Sequence, residues 1–186
     1  LPYVDMSACM TDLRQRKGIA ARALEFTILT ATRSGESRGA EWSEIDLASK
    51  IWTIPAERMK AGKEHRIPLS ESVCKLLEST LRVSGTGSRY VFPSLKGSTL
   101  SDMTLTAVLR RMERNDITVH GFRSSFRDWA AETTAFPREV IEHAMSHQLK
   151  DKAEAAYQRG DLLIKRAKLM EAWAAYCEHS SGMAEV

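Results

Sequence analysis

The sequence has few of the features that would place it in a membrane or outside the cell. Its 186 residues include only three cysteines, Cys9, Cys74 and Cys177. Their small, odd number and wide spacing exclude a disulfide framework or a zinc knuckle and fit a reducing compartment. No apolar run approaches the roughly 20 residues that span a bilayer. Asp5 and Asp12 interrupt the early sequence, so we expect no signal peptide.

The charge balance also lacks a large excess of one sign. The formal net charge is +3, and hydrophobic and charged residues make up 43% and 27% of the chain. These values are ordinary for a soluble globular domain. They permit binding to nucleic acid without requiring it, because the distribution of the positive charge matters more than its sum. Since Leu1 stands where a start methionine would, we expect residues 1–186 to be a single domain of a longer protein.

Hydrophobic periodicity predicts a mainly α-helical domain with one small antiparallel β-sheet, an α+β fold. Spacings of three and four predict helices at residues 6–16, 22–32, 36–42, 70–81, 101–114, 120–133, 152–157 and beyond 161, with a short helix starting at 137. Alternation of apolar and polar residues predicts strands at residues 45–47, 50–54 and 65–69. The basic turn at residues 60–63 would join the second strand to the third.

Six polar residues, spread over these elements, suit chemistry at a phosphodiester. They are Arg33, Lys60, His120, Arg123, His147 and Tyr157. Guanidinium groups bind phosphate oxygens through paired hydrogen bonds, and an ammonium or imidazole can transfer protons. A tyrosine hydroxyl can attack phosphorus if its ionisation, normally near pH 10, is assisted. The set therefore fits attack on a phosphodiester without a metal.

Each of these residues also has an ordinary structural explanation. Arg33 could form a surface ion pair with Glu36, which contributes little to stability. Lys60 could belong to a solvated basic turn with Lys63. Tyr157 could be a packed amphipathic residue. These alternatives stay open for each residue taken alone.

A zinc site is a further alternative that the spacing of two histidines suggests. His143 and His147 are four residues apart, as in a zinc-binding helix. The glutamate that a zinc hydrolase needs between them is missing, and no cysteine is near. We therefore expect no metal site here.

Taken in order, the motifs resemble the catalytic domain of the tyrosine recombinases, the phage-integrase family, and in particular the integrases of prophages and genomic islands. Thr-Ala-Thr-Arg-Ser-Gly-Glu at 30–36 resembles the first arginine box, and Ile-Pro-Ala-Glu-Arg-Met-Lys at 54–60 the lysine hairpin. His-Gly-Phe-Arg at 120–123 resembles the second box, and His147 followed by Tyr157 the final histidine and nucleophile. The likeness covers residues 22–176. One departure is Met145-Ser146-His147, where the family often has Leu-Gly-His.

The resemblance implies a DNA strand-transferase that integrates or excises a mobile element. Tyr157 would attack a DNA phosphorus, form a 3′-phosphotyrosine and release a 5′-hydroxyl. Arg33 and Arg123 would bind the non-bridging oxygens and stabilise the five-coordinate transition state. Glu36 would orient Arg33 through an ion pair without itself contacting the phosphate.

The same resemblance assigns the proton transfers and implies no cofactor. Lys60 would protonate the leaving 5′-oxygen, His120 would assist the tyrosine proton, and His147 would hydrogen-bond the phosphate. Because the phosphotyrosine conserves the energy of the broken bond, neither ATP nor a metal would be required.

The implied partners are double-stranded DNA attachment sites and further copies of the chain. We expect a homotetramer on DNA and a monomer alone, with an excision factor and a host DNA-bending protein as additional partners, in the nucleoid of a bacterial cytoplasm. The N-terminal DNA-binding domains of the family are absent from these residues, so binding would rest on phosphate contacts. Besides the catalytic residues, the candidates for those contacts are Lys63, Arg66, Arg110, Arg111, Arg114 and Arg127.

Three other functions remain compatible with the residues. A type IB topoisomerase would share the covalent chemistry but swivel the DNA instead of exchanging strands. A catalytically silent DNA-binding module would make the tyrosine dispensable, and a purely structural helical domain would leave the arginine–histidine pairs unexplained.

The last predicted helix has two possible roles. It could dock on a neighbouring subunit through Trp173, Tyr176 and Cys177, or pack on its own domain, as an amphipathic face usually does. Its apolar face would contain Leu162, Leu163, Ala167, Met170, Trp173, Ala174 and Cys177.

Overall fold

The computed structural model describes residues 1–84, 87–147 and 162–178 and confirms a mainly helical domain with a small sheet. The helices are α1 (Met6–Gln15), α2 (Ile19–Thr30), α3 (Ser34–Arg38), α4 (Glu71–Ser84), α5 (Thr104–Arg111), α6 (Gly121–Thr133), α7 (Arg138–Ala144) and α8 (Leu163–Glu178). The strands are β1 (Ile45–Asp46), β2 (Ile51–Ile54) and β3 (His65–Pro68). The helix predicted at 152–157 lies outside the described residues. None of the described helices is long and apolar enough to cross a membrane.

The three strands form the antiparallel sheet that the alternating pattern predicts, in the order β1-β2-β3. Trp52 pairs with Ile67 and Ile54 with His65, and all four side chains are buried. Side chains directly opposite each other on paired strands lie on the same face of a sheet. The inward face of the β2–β3 hairpin is therefore apolar except for one histidine.

Helix α2 is the centre of the core. It packs against α1, α3, α4, α5 and α8. Its Phe26 contacts Trp52 of the sheet and Phe92, with ring centroids 4.9 and 5.2 Å apart. These tilted aromatic contacts fix the sheet against α2, which ends three residues before the predicted catalytic arginine.

Helix α8 packs on its own domain. Trp173 is fully buried, and its indole Nε1 donates a 2.9 Å hydrogen bond to the carbonyl of Ile28. The ring also stacks with Tyr176 and meets Trp129 and Phe126 at centroid distances of 6.0, 5.0 and 5.4 Å. Of the two roles considered for this helix, the structure gives the cis packing.

Two sequence predictions about helices need correction. Residues 36–42 do not form one helix, because α3 ends at Arg38 and Trp42 starts a separate 3-10 turn, Trp42–Glu44. On α8, Ala167 is exposed, whereas Arg166 is 1% exposed and donates from Nη2 to the carbonyl of Arg66. A backbone acceptor on β3 lets this cation occupy a place that the apolar pattern gave to its neighbour.

Replacing Trp173 by alanine should destabilise the domain by about 3–5 kcal/mol, since it removes a buried aromatic side chain and its hydrogen bond. Urea unfolding followed by far-UV circular dichroism measures the change. Ile164→Ala, on the same helix but with 79% of the residue exposed, should change stability by less than about 0.5 kcal/mol. Equal effects of the two substitutions would contradict the cis packing of α8.

Candidate active site

Arg33 stands between the end of α2 and the start of α3 and is held there by Glu36. Glu36 accepts two 2.8 Å hydrogen bonds, one from the Arg33 backbone N–H and one from Nη1. The carboxylate is 4% exposed and the Arg33 side chain 29% exposed. The pair expected from the spacing is thus present, and the partly exposed guanidinium is fixed at both its backbone and its tip.

Arg123 of α6 joins the ends of two other helices. Its Nη1 donates to the carbonyl of Ala31 after α2, and its Nη2 donates to the carbonyl of Met145 after α7 at 2.7 Å. Helix C-terminal carbonyls carry partial negative charge and favour a cation. They offset part of the desolvation of a residue that is only 3% exposed.

The surroundings of Arg123 disfavour its charged form. Burial and the nearby Arg33 lower the pKa of Arg123 to about 10, while Glu36 and Glu142 oppose that decrease. The group is still cationic at neutral pH. Two guanidinium groups that repel each other, one of them buried, make a place where an anion is favoured.

His147 is placed by the turn that ends α7. The His147 N–H bonds to the carbonyl of Glu142 at 2.9 Å, and the Ser146 N–H bonds to that of His143 at 3.1 Å. With Ser146 at a φ of 53°, this is a Schellman motif. At the position where the family often has glycine, Ser146 thus adopts a left-handed conformation that glycine adopts without strain.

The His147 ring lies between a carboxylate and a guanidinium. Its Nδ1 is 2.7 Å from Glu142 Oε2, and its Nε2 is 3.2 Å from Arg123 Nη2. A guanidinium can only donate, so Nε2 accepts from Arg123 and Nδ1–H donates to Glu142. This arrangement fixes which ring nitrogen carries the proton.

Sequence reasoning missed Glu142. The residue is 8% exposed, and its Oε1 is 3.3 Å from Nε of Arg127. It lies five residues before His147, a separation that brings no two side chains together on a helix. The pair forms only because the chain reverses at Ser146, so no periodic pattern signals it.

Lys60 and His120 are exposed at the ends of their elements. The Gly62 N–H bonds to the Met59 carbonyl at 2.9 Å, which closes a turn with Lys60 at its tip. Buried Met59 anchors that turn. His120 directly precedes α6, one turn before Arg123.

Of the six predicted residues, the structure brings Arg123 together with Arg33 and His147. Tyr157 lies outside the described residues.

Arg58 connects the lysine-bearing arm, residues 55–64 between β2 and β3, to α3. Its Nη2 donates to the carbonyl of Glu36 at 2.6 Å, and its Nη1 pairs with the carboxylate of Glu44. One backbone carbonyl therefore connects the arm to the residue that holds Arg33.

His65 is a second residue that sequence reasoning missed. It is 8% exposed and bonds to the backbone of Ala144. Burial, together with Arg166, Arg123 and Arg33, lowers the pKa of His65 to about 3, and the Ala144 bond only partly opposes this. Its place beside Ile67 in an alternating strand was a usable signal, because both side chains point inward.

The cations predicted to contact DNA differ in their availability. Lys63, Arg110 and Arg111 are exposed, and Arg66 is half-buried. Arg114 forms a two-pronged ion pair with Asp116, at 2.9 and 2.8 Å, and Arg127 pairs with Glu142. Arg114 and Arg127 would have to share or release a carboxylate before meeting a phosphate.

A groove of about 820 Å³ lies away from these residues, between the α1–α2 connection, α4 and residues 93–95. Its lining includes Leu13, Ile19, Leu76 and Leu95. None of the five predicted catalytic residues that the structure describes contributes to it. The group formed by Arg33, Arg123 and His147 is therefore separate from this groove.

Comparison with known proteins identifies the family. Residues 6–161 match the sequence profile of the phage integrase family. The chain belongs to this family. It is 37% identical over 152 residues to prophage integrase IntA of Escherichia coli, a match that covers 80% of this chain and 36% of that relative. The chain thus spans less than two fifths of the length of this integrase.

Solved structures show the same fold. The chain is similar to a lambda integrase dimer bound to a core site, with a TM-score of 0.60 and 18% identity, over 80% of this chain and 57% of that one. It is also similar to the lambda integrase catalytic core, with a TM-score of 0.57 and 19% identity, over 81% and 90% of the two chains. At such identities the likeness concerns the fold.

Ser146→Gly should raise the free energy of unfolding by up to about 1 kcal/mol. Glycine adopts the left-handed conformation without strain, and the backbone hydrogen bonds of the Schellman motif remain. The free energy of unfolding in urea measures this. Ser146→Val should lower it, since a β-branched residue disfavours that conformation. A destabilising glycine would show that the turn is not left-handed.

His65 should make the domain sensitive to acid. Its pKa lies below that of an exposed histidine, so the unfolded chain binds a proton that the folded chain refuses. The stabilisation is complete above about pH 6.5 and is lost as pH falls towards 3. Between pH 7 and 5 we expect a loss of about 1–2 kcal/mol from this group.

Urea unfolding at the two pH values tests this expectation. His65→Gln should have a smaller difference between pH 7 and 5 than the wild type. His120→Gln, the same substitution at an exposed position, should keep the wild-type difference. An unchanged difference in His65→Gln would contradict the assignment.

Proposed function

We propose that the chain is the C-terminal catalytic domain of a site-specific DNA recombinase that integrates or excises a mobile element. In this proposal it cuts and rejoins DNA through a 3′-phosphotyrosine on Tyr157. The observation that carries the proposal is the buried Arg123, held beside Arg33 and in contact with His147. Membership of the phage integrase family and the likeness to IntA support it and favour recombination over topoisomerase-like relaxation.

The first step is binding of the scissile phosphate. Arg33 and Arg123 contact its non-bridging oxygens. They need little reorganisation, because Glu36 and two helix-end carbonyls already fix both guanidinium groups. Fixed charges of this kind stabilise the extra negative charge that develops in the transition state.

Proton transfers accompany the displacement. The Tyr157 oxygen forms a bond to phosphorus as the bond to the 5′-oxygen breaks, and the tyrosine proton leaves with help from His120. Lys60, on the arm beside α3, gives a proton to the 5′-oxygen. The reverse steps, with a different 5′-hydroxyl, rejoin the DNA and return each proton.

The proposed reaction uses neither a metal nor ATP. The cations of the site are side chains, and the phosphotyrosine conserves the energy of the phosphodiester bond. In the described part of the chain both nitrogens of His147 have protein partners.

The proposed partners follow the related proteins. Solved structures contain a lambda integrase dimer on a core site and a lambda integrase tetramer on a Holliday junction. We propose double-stranded attachment sites and a tetramer on DNA for this chain, which acts in the bacterial cytoplasm as part of a longer protein. An excision factor and a host DNA-bending protein are proposed as accessory partners.

A nicked suicide duplex from the end of the mobile element tests the chemistry. The chain, with its flanking domains, should form a covalent adduct that resists SDS and survives EDTA. Tyr157→Phe should abolish the adduct, because phenylalanine has no nucleophilic oxygen. Denaturing gel electrophoresis with labelled DNA measures it.

Tyr176→Phe is the matched control, since Tyr176 packs against Trp173 in the core and should leave the adduct intact. An adduct that persists in Tyr157→Phe would remove that residue as the nucleophile. Loss of the adduct with EDTA would contradict the metal-free mechanism.

A further inference from the structure

We propose that Glu142 is a positioning residue that prepares His147 to carry two protons when a phosphate enters the site. The inference rests on the proposed function and extends it to a residue outside the six expected from the sequence. It concerns one carboxylate, one imidazole and the guanidinium that contacts the imidazole.

Glu142 holds His147 at two points. Its backbone carbonyl accepts from the His147 N–H at 2.9 Å, and its Oε2 accepts from the ring Nδ1–H at 2.7 Å. Both contacts depend on the reversal of the chain at Ser146. The ring is thus fixed relative to the same residue that carries the balancing charge.

Without DNA, the other nitrogen of the ring faces a donor. Arg123 Nη2, 3.2 Å away, donates to Nε2, while Nδ1–H donates to Glu142. A neutral histidine is compatible with a neighbouring guanidinium, whereas a second proton on Nε2 would oppose the Arg123 donor. In the free site Nε2 therefore serves as a hydrogen-bond acceptor.

A bound phosphate changes what Nε2 meets. A phosphodiester oxygen only accepts hydrogen bonds, so His147 can bond to it only with a proton on Nε2. Nδ1 keeps its own proton because Glu142 remains at hydrogen-bond distance. The ring then gains one proton from solvent and becomes a cation, which Glu142 and the phosphate balance on opposite sides.

The other oxygen of Glu142 is also occupied. Arg127 Nε lies 3.3 Å from Oε1 and keeps the carboxylate oriented towards His147. Arg127 is half-exposed and acts on the histidine through Glu142.

Several charged groups lie near this pair or near its neighbours Arg123 and His65. Arg33 and Glu36 lie on the α3 side, Arg123 and Arg127 on α6, His65 on β3 and Arg166 on α8. Most of them are cations. Glu142 is the carboxylate in hydrogen-bond contact with the ring. In this proposal its negative charge stabilises the ring once both nitrogens carry a proton.

The dependence of adduct formation on pH tests the proposal. Glu142→Gln keeps a hydrogen-bond acceptor for Nδ1–H but removes the charge. With the suicide duplex, the rate should fall at a lower pH than in the wild type, by at least about one unit, or about tenfold in rate at pH 8. At pH 6 the two rates should be similar. Glu139→Gln removes the same charge one turn earlier on α7 and should retain the wild-type profile.

A measurement on the chain without DNA separates this inference from the proposed function. In ¹⁵N-histidine NMR spectra, the pH at which the His147 ring takes up its second proton should be lower in Glu142→Gln than in the wild type and in Glu139→Gln. Superimposable titrations, or superimposable pH–rate profiles, would overturn the role of Glu142. A wild-type chain that forms no adduct at any pH would refute the proposed function, and the NMR titration alone would then decide the inference.

Discussion

The site depends on one buried guanidinium that holds two helix ends together. Arg123 donates to the carbonyl of Ala31, 92 residues earlier, and to that of Met145, 22 residues later. Arg33 follows the first carbonyl by two residues, and His147 follows the second by two. A single side chain thus links the two segments that carry Arg33 and His147, and its two hydrogen bonds help to fix the distance between them.

This arrangement is electrostatically expensive without an anion. Arg123 is buried and Arg33 is close enough to lower its pKa, while Glu36 and Glu142 each engage one cationic partner. The backbone is also strained, because Ala31 and Ser146 are both left-handed. Packing alone does not require a buried cation, a second cation beside it and two left-handed residues in one place. A bound phosphate would relieve the repulsion, as expected for a site preorganised for charge that develops during a reaction.

Sequence alone predicted the parts of this architecture that arise from local periodicity. Alternation located the hairpin, helical spacing located α6, and a separation of three residues predicted the Arg33–Glu36 pair. It did not predict contacts that depend on how the chain reverses or on which elements meet. Glu142 meets His147 only through a left-handed serine, and Arg166 is buried because a strand carbonyl accepts its hydrogen bond. Hydrophobicity scales treat each of these charged residues as surface, since they contain no information about the partner.

The contact between Arg58 and Glu36 has a consequence for a residue with no chemistry of its own. A Cβ atom at Gly39 would lie 3.0 Å from Nη2 of Arg58, closer than such atoms normally approach. Because Gly39 has no side chain, the Arg58 guanidinium has room to reach the carbonyl of Glu36 on α3. Variation at position 39 would therefore act at a distance, by changing the angle at which the β2–β3 hairpin, with Lys60 at its tip, leaves the domain.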